Sequence, residues 1–76
     1  MENISKTDLK FIMNVYKQIE KNTFINSKVN EAYDKLPEHL RSTIITPKGK
    51  IMAINRFVIM NFQDIEATLK DKRRKE

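Results

Sequence analysis

TPKGKIMAINRFVIMNFQDIEATL, residues Thr46 to Leu69, holds the densest run of apolar side chains in the chain, and whether it folds as a helix or a β-ribbon decides the architecture. Thr46 is suited to cap a helix whose first residue is Pro47, because proline lacks only an N–H that would have no partner there and its fixed φ already fits the helix. From that start Ile51, Ile54, Val58, Phe62, Ile65 and Leu69 recur at spacings of three and four, which places them in one stripe. Met52, Phe57, Ile59 and Met60 fall outside it, so the segment is apolar on more than one side and needs cover on more than one side.

Carried from Pro47 into the basic residues near Arg73, such a helix is about 40 Å long at roughly 1.5 Å per residue. The preceding residues hold two modest helices, too little to cover that length twice. A homodimer joined through the long helix, with Met52, Phe57, Ile59, Met60 and Phe62 at the interface, is therefore the expected assembly. The rival reading makes Thr43–Thr46 and Lys50–Ile54 two strands joined at Pro47–Gly49, like the wing of a winged-helix DNA binder. A single hairpin has little support without further strands, and no other segment alternates convincingly.

Working back toward the start, Ser5 with Asp8 three residues on makes a capping box, and Ile4 and Leu9 stand at the spacing of a hydrophobic staple. A helix from about Lys6 to Lys21 follows, burying Leu9, Ile12, Met13, Tyr16 and Ile19, with Phe11 and Val15 widening the stripe. Asn22 can close it, since asparagine tolerates the left-handed backbone that ends many helices. Thr23 offers a cap for a second helix carrying Ile25, Val29, Ala32, Tyr33 and Leu36, which should stop before Pro37 because a residue preceding proline avoids the α region. A short turn makes the pair an antiparallel hairpin. Pro37 can open a single turn that tucks Leu40 inward, with Ile44 and Ile45 extended into the Thr46 cap. The expected class is all-α: one domain over residues 1–76, two shorter helices plus one long C-terminal helix, and a basic end at 70–76 prone to fray.

A chain of 76 residues has little interior, burying only about 60% of its unfolded surface, so oligomerisation would help it. There is no cysteine for a disulfide or thiolate metal site, and neither a run of about 18 apolar residues nor a secretory leader is visible, so a cytoplasmic, soluble protein is expected. The net charge of +5 lies wholly in the second half: residues 1–40 carry six Lys against six acids, and residues 41–76 carry nine bases against four. A like-signed end steers anionic partners toward it.

The catalytic inventory is thin. His39, the one histidine, has no evident nucleophile or orienting partner, and Glu31, Asp34 and Glu38 read as a solvated face that Pro37 interrupts, so neither an enzyme nor a metal site is expected, and no cofactor. Gly49, the only glycine, cannot make a phosphate-cradling loop and suits a close approach in the first turn of the long helix. Lys70, Lys72, Arg73, Arg74 and Lys75 suit both a helix C-terminus, whose dipole is partly negative, and the phosphates of DNA or RNA. Lys48, Lys50 and Arg56 enlarge that surface if a dimer sets its long helices antiparallel. Base-specific readout has no motif, since the run after Pro37 is poor in residues that read base edges. The function expected from the sequence is a homodimeric regulator that holds nucleic-acid phosphates through its basic end. The alternative is an inhibitor or adaptor docking on a larger protein through the Met-rich face.

Overall fold

The computed structural model describes residues 4–42 and 45–70, and these form four α-helices and a short 3-10 turn. Helix α1 spans Lys6–Glu20, α2 Asn26–Asp34, the 3-10 turn Glu38–Leu40, α3 Pro47–Met60 and α4 Phe62–Lys70. The expected all-α class holds, with no strand among the described residues. The rival ribbon does not form: Lys50–Ile54 lies inside α3, while Thr43 and Ile44 lie outside the described residues.

The start of α1 follows from its sequence. Ser5 Oγ accepts the Asp8 backbone N–H at 3.1 Å, and Ile4 and Leu9 both reach the core, as a staple requires. The Asp8 carboxylate turns outward to Lys35 Nζ of the α2 C-cap at 3.0 Å, so Asp8 ties the start of α1 to the end of α2. The end of α1 is a Schellman turn. Asn22 takes φ 58, its N–H donates to Ile19 O at 3.0 Å, and the Thr23 N–H donates to Gln18 O at 2.8 Å. Thr23 is thereby spent closing α1, its hydroxyl also reaching Gln18 O at 3.4 Å. It does not cap α2, which starts after Ile25 without a side-chain cap.

The principal correction concerns the C-terminal third. The expected single long helix is two, parted at Asn61, whose backbone leaves the helical range at φ −118 and ψ 18. Thr46 and Pro47 do start α3 as expected, with the Gly49 N–H donating to Thr46 Oγ1 at 3.0 Å. The close approach at Gly49 is to a side chain, since a Cβ there would lie 2.8 Å from Ile45 Cγ1. At the other end the Asn61 amide Nδ2 donates to Phe57 O at 2.9 Å, alongside the Asn61 backbone N–H at 3.1 Å. A short amide side chain bonding back to the helix offers the backbone an alternative to continuing straight. Asn61 O then accepts the Ile65 N–H at 2.8 Å and starts the next helix. The bend lets α4 pack on α1 as well as on α3, which a straight rod would not.

One core results. Leu9, Ile12, Met13 and Val15 of α1, Val29, Ala32 and Tyr33 of α2 with Leu36 just beyond it, Ile54, Phe57 and Val58 of α3 and Ile65 of α4 are all buried, and no charged or polar residue is buried among the described residues. Tyr33 carries the one polar handle in this set, its hydroxyl accepting the Ser42 N–H at 2.6 Å and so fixing the strap after the 3-10 turn. Two expectations fail here. Leu40 faces outward, and Phe62, predicted on the inner stripe, is 42% exposed because the bend rotates it off that stripe while Ile65 and Leu69 stay on it.

Candidate interaction surface

Helix α3 has a buried side and an unburied one, and both are apolar. Ile54, Phe57 and Val58 point inward, whereas Met52, Ile59 and Met60 are 61%, 64% and 75% exposed. At 3.6 residues per turn, Ile59, Met52, Arg56 and Met60 fall within an arc of about 100° on the solvent side. Scattered exposed apolar residues are ordinary on a protein surface, but large ones sharing an arc form a patch.

Beside that arc lies a groove of about 870 Å³. One wall is the 3-10 turn, with Pro37, His39 and Leu40. The other runs along α3 into α4, with Gly49, Met52, Arg56, Met60 and Asp64, and the floor includes Ala53 and Phe57. The outward turn of Leu40 that breaks the sequence expectation is what gives the groove its second apolar rim. Small-molecule sites enclose most of their ligand, and this groove has its methionine rim open to solvent.

Of the interface residues read from the sequence, Met52, Ile59, Met60 and Phe62 are exposed. Phe57 is not: at 4% exposure it belongs to the core, from which it contributes to the floor of the groove. The single turn expected after Pro37 is present, whereas its place as a wall of the groove was not foreseen. Its sequence signal was Leu40 standing three residues after Pro37 in an otherwise polar run.

Of the residues expected to meet phosphates, Lys48, Lys50, Arg56 and Lys70 are described, and their surroundings differ. Lys48 is exposed in the first turn of α3. Lys50 is engaged by α2, donating to Asn30 Oδ1 at 3.0 Å with its ammonium 5.5 Å from the Tyr33 ring centre. Arg56 lines the apolar groove, and Lys70 is exposed at the end of α4. Lys72, Arg73, Arg74 and Lys75 lie outside the described residues. On the opposite face Lys28 and Lys35 sit 5.7 and 5.6 Å from the Phe11 ring centre, a cation–π arrangement that shields the ring at the α1–α2 seam.

Among the described residues no group of three His, Cys, Asp or Glu side chains is placed to hold a metal ion, and no helix is long and apolar enough to cross a membrane. Among the described residues, Tyr16 has its phenol pKa raised above the ordinary 10.0, first by loss of surrounding water and then by its hydrogen bond to Glu20 Oε2 at 3.2 Å and the charge of that carboxylate. It stands on α1, away from the groove lining. Compared with known proteins, the chain matches no family model, no curated protein sequence and no solved structure.

Proposed function

We propose that this chain is a small non-enzymatic binding protein that works by docking a protein surface against the outer face of α3 and the groove beside it. The observation that carries the reading is that the core is already complete without Met52, Ile59 and Met60, yet these large apolar side chains stand together in solvent. Methionine suits such a surface, being long, unbranched and adaptable to a partner's contour. Arg56 adds a residue type enriched at the centres of interfaces. The test is to replace Met52 and Met60 with lysine in the full chain and follow association by light scattering. Helical content should be unchanged, since neither side chain is in the core, and association should be lost. Association that survives both changes contradicts the reading.

A second reading, contact with DNA or RNA phosphates, is favoured by the exposed Lys70 and by the composition of the residues that follow it, DKRRKE. The two separate on salt. Phosphate binding weakens steeply as salt rises and falls when Lys72, Arg73, Arg74 and Lys75 are neutralised. Apolar docking tolerates salt and ignores those substitutions. Light scattering with and without duplex DNA, at low and at moderate salt, distinguishes them.

A further inference from the structure

We infer that the occupant of this face is a second copy of the same chain, set antiparallel about a two-fold axis that passes beside Met60, with Arg56 of each copy against Asp64 of the other. The inference rests on the docking reading above and names its partner.

The charge pattern along the groove supplies the register. Arg56, Met60 and Asp64 line the same groove at steps of four residues, an apolar centre flanked by one cation and one anion. The step from Arg56 to Met60 is about 6 Å along α3 at roughly 1.5 Å per residue, and Asp64 stands beyond the turn at Asn61, in α4, on the same groove. A two-fold interface brings residue i against residue j and j against i. With the axis beside Met60, Arg56 of one copy is set against Asp64 of the other and Asp64 against Arg56, so both pairs are of opposite charge. Moving the axis by one turn toward Arg56 would set Arg56 against its own copy. Neither Arg56 nor Asp64 has an ion-pair partner among the described residues of its own chain, where the observed pair is Asp8 with Lys35.

Shape agrees with charge. Met60 is 75% exposed and unbranched, so beside the axis its adaptable thioether packs against its own copy. Met52 and Ile59 continue the covered patch.

Sedimentation of the full chain tests this, using Arg56→Glu, Asp64→Arg, and an equimolar mixture of the two. The wild type should sediment at twice the 9.0 kDa of one chain. Each single reversal sets like charges together and should weaken association about tenfold or more. The mixture should recover it, because Glu at 56 then meets Arg at 64 while Arg56 meets Asp64. Circular dichroism of each variant guards against simple unfolding, and the mixture controls for it again. A wild type that stays at single-chain mass overturns the second copy while leaving the apolar face open to a different protein. A dimer that resists both reversals but is dispersed by Met60→Lys overturns the register alone. One that also resists Met60→Lys overturns the docking reading with it.

Discussion

Asn61 holds the Phe57 carbonyl twice, through its side-chain amide at 2.9 Å and its backbone N–H at 3.1 Å, and this double grip marks where the C-terminal third of the chain turns. The turn separates two jobs. Before it, α3 keeps one apolar side for the core and one for the outside; after it, α4 gives Ile65 wholly to the core against α1.

The bend should depend more on packing than on the amide. Asn61→Ala removes one hydrogen bond and is expected to cost about 0.5–1.5 kcal/mol, partly offset by the better helix propensity of alanine. Ile65→Ala empties a fully buried site and should cost about 2–5 kcal/mol. Urea unfolding of both variants compares them. A larger loss at Asn61 than at Ile65 would mean that the amide, not the core, sets the direction of α4.

Tyr33→Phe tests the strap that follows the 3-10 turn bordering the groove. The Tyr33 hydroxyl accepts the Ser42 N–H at 2.6 Å, and its loss should cost about 1 kcal/mol while speeding amide exchange around Arg41 and Ser42. Unchanged exchange there would show that the strap is held by other contacts.

The Asp8–Lys35 pair is partly solvated and should count for little. A double-mutant cycle with Asp8→Ala and Lys35→Ala is expected to give a coupling of about 0.2–1 kcal/mol that shrinks with salt. Lys35→Ala alone should cost more than this coupling, because its ammonium also lies over Phe11.

Tyr16 predicts a loss of stability at alkaline pH. Its pKa in the folded state is raised above the ordinary 10.0, so the folded state holds the phenolic proton more tightly than the unfolded chain does. No stability is lost to this group below that value, and stability falls as pH rises through the folded one. Thermal unfolding of the wild type and Tyr16→Phe across that range should show the smaller alkaline loss in the variant. Parallel curves would assign the loss to other groups.

Local signals in the sequence carried the helix starts well. Ser5 and Thr46 both cap as their spacing predicts, and Asn22 takes the left-handed backbone that ends α1. The inner stripe Ile51, Ile54, Val58, Ile65 and Leu69 was also legible, because 3.6-residue periodicity is local. Asn61 was not. Asparagine at that position fits a straight helix almost as well as a bent one, and only the packing of α4 against α1, a contact between distant segments, selects the bend. Phe57 and Met60 show the same limit. Both lie off the inner stripe, yet one is buried and the other is in water, and the packing of α1 and α2 on α3, between distant segments, is not written in local spacing. Of the described members of the phosphate-contact set, Lys50 donates to Asn30 and Arg56 lines the groove, contacts between distant segments that local spacing does not reveal.

The most direct measurement follows the methionine methyl signals of 13C-methyl-labelled protein through a dilution series. Met52 and Met60 stand on the outer face, whereas Met13 is in the core and serves as the internal control. Pairing through α3 predicts that the Met52 and Met60 methyls shift together with concentration, along one binding curve, while Met13 stays fixed. Met52 and Met60 signals that do not move with concentration, or that move no more than Met13, would contradict it.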